Sequence, residues 1–192
     1  MSVKKGHQRI MSKQTPRHQS KKTHKGRKNF SSKDRHKQQH HSKSKKKSKR
    51  ISDHFNKKDF LCEESKSLRI SLGLIGALEL LRTQSKNRIT IHKGYESPEV
   101  HEKKGGFKKS YHTMGLAANI TIDNMSLEET FKLAEGIDEI KGLGINYALG
   151  HVHVDTRKED ERLLWVVTAS AEYVELTDDK KADYIDGYND LS

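Results

Sequence analysis

The first fifty residues offer only Met1, Val3, Ile10, Met11 and Phe30 as large apolar side chains, and that scarcity limits what the chain can fold into. So few apolar groups cannot offset the entropy of ordering a segment of that length. The same stretch holds 19 of the 38 Lys and Arg residues but only Asp34 among the 26 acidic ones. Residues 1–57 are therefore expected to form a disordered Lys/Arg/His-rich arm. Runs such as KKTHKGRK and KSKKKSKR repel themselves and should condense on anionic polymers, teichoic acid and nucleic acid among them, by releasing counterions. A solvated solubility tail would have the same composition. Residues 51–192 carry 19 basic against 25 acidic residues, so the net charge of +12 comes wholly from the arm.

Leucine, isoleucine and valine appear with regular spacing from about Phe60, and a folded domain is expected over 58–174. Ser71 can cap a helix whose Leu74, Ile75, Leu78 and Leu81 share one stripe. RITIHKGY alternates Ile89 and Ile91 with Thr90 and His92, the pattern of a half-buried strand with His92 toward solvent. The segment from Glu96 to His112, with Pro98 and the Gly105-Gly106 pair, reads as a long loop. LAANITI predicts a strand. Ser126 and Glu129 stand in capping-box spacing ahead of a helix with Leu127, Phe131, Leu133, Ala134 and Ile137 on its apolar face. GINYAL and HVHVD predict a hairpin turning at Gly150, while LLWVVTASAEYVEL suits a strand or a short helix equally. Residues 175–192 hold six acidic and two basic groups and read as an acidic, frayed tail. Strands mixed with two clear helices, without βαβ alternation, indicate α+β: helices packed on a small, mainly antiparallel sheet.

The lone Cys62 cannot form an internal disulfide and is expected to be a buried or half-buried thiol. No apolar run approaches a membrane span or a secretion-signal core, so no Sec-type export route is expected.

Chemistry concentrates in SYHTMGLAANI and GHVHVD. Side chains two apart on a strand share a face, so His151 and His153 project together while Val152 and Val154 turn inward. Imidazoles so placed suit zinc, and His112, ahead of a glycine-softened turn, can supply a further ligand. Asp155 shares the face of His153 and can orient an imidazole by accepting its second N–H. Exposed strand histidines with no ligand role fit the same spacing.

The stretch from Ile89 to Ile122, followed by GLGINYALGHVHVDTR, resembles the zinc D-Ala-D-Ala carboxypeptidases, peptidoglycan metallopeptidases that share the Hedgehog-domain fold. Their motif S-x-H-x-x-G-x-A-x-D-I is met by Ser110, His112, Gly115, Ala117, Asn119 and Ile120, and their H-V-D motif by His153, Val154 and Asp155. The resemblance implies His112, the residue at 119 and His153 as zinc ligands, peptidoglycan peptides as substrate, and hydrolysis of a stem-peptide amide. Three departures stand out. Asn119 replaces an aspartate ligand, Glu96 replaces an arginine that steadies the substrate, and Gly150 occupies the position of a carboxylate base. Asp155 and His151 are then the catalytic stand-ins, and His151 could join His112 and His153 in a three-histidine zinc site. The resemblance thus implies an active zinc peptidase or a degenerate wall-binding or virion module on the same fold. A third reading assigns all function to the basic arm. A wall enzyme without an export signal is expected to leave its cell by lysis, inside a phage or virus particle, or by a nonclassical export route.

Overall fold

The computed structural model describes residues 49–106 and 109–185. The expected disordered arm, apart from its last residues, lies outside them, as does the end of the acidic tail at 186–192. Among the described residues no helix is long and apolar enough to cross a membrane.

In chain order the elements are α1 (Leu72–Ser85), β1 (Ile89–Lys93), α2 (Pro98–Lys103), α3 (Tyr111–Met114), β2 (Ala117–Ile122), α4 (Leu127–Glu135), β3 (Gly142–Asn146), β4 (His151–Asp155), β5 (Leu163–Val167), β6 (Tyr173–Glu175) and α5 (Lys181–Tyr184). The strands form one sheet in the order β1-β2-β4-β3-β5-β6. Every neighbouring pair is antiparallel except β3 with β5. The fold is α+β, as the pattern predicts, with a mixed sheet that is mainly antiparallel.

Local signals account for most boundaries. Ser71 accepts a hydrogen bond from the Gly73 amide at the start of α1. Ser126 and Glu129 cap α4 reciprocally, each side chain bonded to the other's backbone N–H. Strand alternation then divides the sheet. Ile120, Ile122, Leu143, Ile145, Val152, Val154 and Val166 are buried in one core with Leu74, Leu78 and Leu81 of α1 and Phe131 of α4. Helix α4 lies across β2, β3 and β4, and α1 packs on α4. The opposite sheet face carries Asn119, His151, His153, Asp155 and Trp165, and the site is built there.

Three expectations need correction, and one reading left open is settled. The supposed loop between β1 and β2 contains two short helices. Ser97 caps α2 by accepting from the Val100 amide, with Pro98 in its first turn, a start signal that the run of polar residues conceals. The undecided LLWVVTASAEYVEL is a hairpin, β5 with β6. The acidic tail is not frayed as far as residue 185: Leu176 and Ile185 are buried, and Lys181 pairs with Glu135 at 2.6 Å. A tail of mixed acids and apolar residues is anchored by the apolar ones. At the other end Phe55 joins the core, ahead of the expected start at 58.

Candidate metal centre

Asn119 on β2 and His153 on β4 stand directly opposite each other. Facing positions on antiparallel strands bring side chains within about 5 Å, so register alone makes these two neighbours. His112 arrives from the four-residue helix α3, immediately before β2. Its ring lies edge-on to that of His153, with centroids 5.0 Å apart and planes at 79°.

Hydrogen bonds decide which ring atoms remain for a ligand. His112 Nδ1 donates to the Gly94 carbonyl at 2.7 Å, so its Nε2 holds the lone pair. Burial, then the neighbouring charge of His153, lowers the His112 pKa to about 3, and the ring is neutral at physiological pH. His153 Nε2 faces the Asp155 Oδ2 at 3.2 Å, and its Nδ1 faces the Asn119 Oδ1 at 3.0 Å. The Asn119 side chain also reaches His112. In the tautomer that donates its Nε2–H to Asp155, the lone pair on Nδ1 meets an oxygen of Asn119. A cation between those two atoms relieves that opposition. Their separation is near the roughly 3.3 Å between ligands of a tetrahedral ion with bonds of about 2 Å. The donor set therefore fits zinc in position, with a neutral amide where an acid would supply charge. Among the described residues, no three of His, Cys, Asp and Glu gather closely enough to hold a metal.

Behind His153 stands a chain of polar contacts. Asp155 is fully buried and takes two hydrogen bonds from Arg157, Nε to Oδ1 at 2.9 Å and Nη2 to Oδ2 at 2.7 Å, plus the Arg157 amide. Burial alone would raise its pKa, but the bonds from Arg157 and His153 outweigh that and hold it at about 2. The Arg157 guanidinium lies 4.4 Å over the Tyr111 ring, and the Tyr111 hydroxyl donates to Glu159 at 2.9 Å. Two glycines of β3 leave room for this layer. A Cβ on Gly142 would come within 2.0 Å of Asp155 Oδ2, and one on Gly144 within 2.2 Å of the Trp165 indole. Trp165 thus leans across Gly144 until its ring centroid is 5.2 Å from that of His153.

The sequence-predicted residues separate into those that meet and those that do not. His112, Asn119, His153 and Asp155 converge. His151 occupies the same strand face, but two residues along a strand is about 6.6 Å, and the three-histidine alternative is not assembled among the described residues. Burial, then the charge of His153, lowers the His151 pKa. His92 is exposed as expected, where a register shift between Ile91 and Lys93 turns it to bond Thr121 at 2.8 Å. Cys62 is buried. Arg157, Tyr111, Trp165 and the two β3 glycines were not singled out from sequence. Glycines inside a strand pattern signal a close approach, and GLG was such a signal.

The sequence model of the family described as Peptidase M15 matches residues 42–155, which ends on Asp155. The chain belongs to the M15 peptidases. These are metallopeptidases, generally zinc-dependent, and the matched span of this M15 chain includes His112, Asn119 and His153. No curated protein matches the chain.

Glu96, where an arginine was expected, is not the bare acid that its sequence position suggested. It is 3% exposed and neutralised by Lys93 at 2.6 Å, His101 at 2.7 Å and Lys104 at 3.0 Å. Burial would raise its pKa, yet the bonds from those three groups bring it down to about 2. A carboxyl whose folded pKa is depressed stabilises the fold above its unfolded value near 4.5 and loses that contribution as pH falls toward 2. Glu96→Gln is expected to lose about 3 kcal/mol at neutral pH, since the fall from 4.5 to about 2 counts 1.36 kcal/mol for each pH unit. The gap between variant and parent should close between about pH 4.5 and pH 2, read from chemical unfolding at a series of pH values.

Proposed function

We propose that this M15 domain is a zinc-dependent peptidase acting on peptidoglycan stem peptides, with His112 Nε2, Asn119 Oδ1 and His153 Nδ1 holding the ion. The observation that carries the reading is the meeting of His153 Nδ1 and Asn119 Oδ1 at 3.0 Å beside His112, each imidazole having its other nitrogen engaged elsewhere. When bound, zinc supplies Lewis acidity, polarising the scissile carbonyl and making water a competent nucleophile at neutral pH.

The chain's own residues do the rest. The Gly94 carbonyl fixes the His112 tautomer. Asp155, clamped by Arg157, does the same for His153. With both oxygens engaged and its pKa at about 2, Asp155 positions rather than accepts a proton. His151 is the neutral imidazole available as base on the same strand face. The basic arm is proposed to concentrate the enzyme on teichoic acid or nucleic acid.

A degenerate, wall-binding module is the second reading. It is favoured by the neutral Asn119 and by Gly150, which brings no carboxylate to act as base and leaves open space where its side chain would begin. The full chain, loaded with zinc and incubated with purified peptidoglycan, should release new amino termini or free D-alanine, and His112→Ala or His153→Ala should abolish this. Retention on sacculi with no release in the parent chain would select the second reading.

A further inference from the structure

Strand β1 is one border of the sheet and pairs with β2 alone. The Arg88 carbonyl accepts from the Asp123 amide at 2.9 Å, so the backbone groups of Arg88 point toward β2. Alternation along the strand then turns the N–H and C=O of Ile89 and Ile91 the other way, out of the sheet. Among the described residues no backbone hydrogen bond reaches those four groups. A border of this kind is a template for a further strand. The space beside it is already shaped. Two hollows, of about 380 and 600 Å³, lie along β1 and share Lys58, Asp59 and Ile91. The first takes in the strand from Arg88 to Ile91, and the second continues from Ile91 to Glu96. Both have the segment 54–64 as their other wall. At the far end the two backbones join, where the Tyr95 amide donates to the Phe60 carbonyl at 3.0 Å.

Shape and charge limit what can lie there. Outward donors and acceptors that recur at every second residue match an extended peptide backbone, whose own groups recur with the same period. The acids that line the hollows are all engaged. Asp59 accepts from the Asn56 amide at 2.7 Å, Glu63 pairs with Lys66 at 2.6 Å, and Glu64 pairs with Lys104 at 2.7 Å. Glu96 is held by Lys93, His101 and Lys104. By contrast Lys58, Arg82 and Arg88 line the same hollows with no acidic partner among the described residues. The free charge is therefore positive. A second copy adding its own β1 would set Lys58 and Arg88 against the same groups, and the chain's basic arm would be repelled in the same way. A strand that carries carboxylates meets both conditions.

We propose that the outer border of β1 docks an extended acidic segment of a partner protein, which adds a strand beside Ile89 and Ile91 and meets Lys58, Arg82 and Arg88 with its carboxylates. None of the proposed metal ligands lines either hollow, so the docking site is tested without zinc or hydrolysis. The probe is a fluorescein-labelled octapeptide of alternating glutamate and valine, titrated into the full chain and followed by anisotropy. Two further forms carry N-methyl groups on one or the other alternate set of amides. The basic arm attracts all three forms alike, so a difference among them belongs to the strand border. Methylation of the set that faces β1 should weaken binding about tenfold, while the other set binds like the parent peptide. Lys58→Glu combined with Arg88→Glu, both on exposed side chains, should also weaken the parent peptide about tenfold. Equal binding of the three forms, an equally tight lysine–valine octapeptide, or no effect of the double variant would each overturn the proposal. Sedimentation of the chain without peptide should show a monomer. A dimer that Arg88→Glu dissolves would give this border to a second copy and overturn the proposal as well.

Discussion

Asn119→Asp is expected to tighten zinc binding about a hundredfold. An ionised donor is worth about 2–3 kcal/mol more than a neutral one, and each 1.4 kcal/mol is a decade in affinity. The backbone needs no change, because Asn119 already faces His153 across the β2–β4 pair and its Oδ1 already stands 3.0 Å from Nδ1. With two imidazoles and an amide as the proposed donors, the parent would leave the full double charge of the ion uncompensated, whereas the variant would cancel one unit. Competition with a chromophoric chelator gives both affinities, and zinc retained after dialysis gives a second reading. Equal affinity in the two proteins would mean that Asn119 is not a ligand, and the metal would have to be held without β2. If hydrolysis of peptidoglycan also rises in the variant, the natural asparagine limits an otherwise complete enzyme. If zinc binds tightly and nothing is cut, the missing carboxylate at Gly150 is the deeper loss.

Those elements whose cues are local were legible in the sequence. The α1 stripe Leu74, Ile75, Leu78 and Leu81 is buried in full, and the capping box of Ser126 and Glu129 opens α4 as spacing alone predicts. The positions proposed as ligands, His112, Asn119 and His153, came from the motif order of the family that the chain resembles, and strand register makes Asn119 and His153 face each other. What depended on distant partners was hidden. That Glu96 is silenced by Lys93, His101 and Lys104 follows from how α2 folds back, which no spacing rule encodes. The adherence of residues 176–185 depends on buried Leu176 and Ile185 and on the reach of Lys181 to Glu135 across the fold. Arg157 and Trp165 acquire meaning only because Gly142 and Gly144 clear the strand between them and the histidines.

That clearance bears on how the site is held. Loop 156–162 leaves β4 at Asp155 and enters β5 at Leu163, and both of those residues pair with Gly142. The loop therefore arches over the first residue of β3 and lays Arg157 back onto Asp155. Strand β3 thus lies between β4, which carries the histidine and its carboxylate partner, and β5, which carries Trp165, so damage at one of them is transmitted to the others.

Asp155→Ala is accordingly expected to be the most disruptive single change at the site, costing about 3–5 kcal/mol of folding stability by leaving Arg157 buried without its partner carboxylate. The side chain of Arg157 is only 11% exposed, so water cannot replace both hydrogen bonds without moving the loop. His153 loses the acceptor at Nε2 and with it the preference for a lone pair on Nδ1, and zinc affinity should fall a further 10–100-fold or so. Asp155→Asn separates the two effects. Its amide keeps the shape and one acceptor for Arg157, so most of the fold should survive, whereas the tautomer preference of His153 weakens. Urea unfolding of both variants beside the parent measures the first effect, and chelator competition on the Asn variant measures the second. Full stability in Asp155→Ala would show that the Arg157 pair contributes nothing to the fold, and unchanged zinc affinity in Asp155→Asn would remove Asp155 from the positioning of His153.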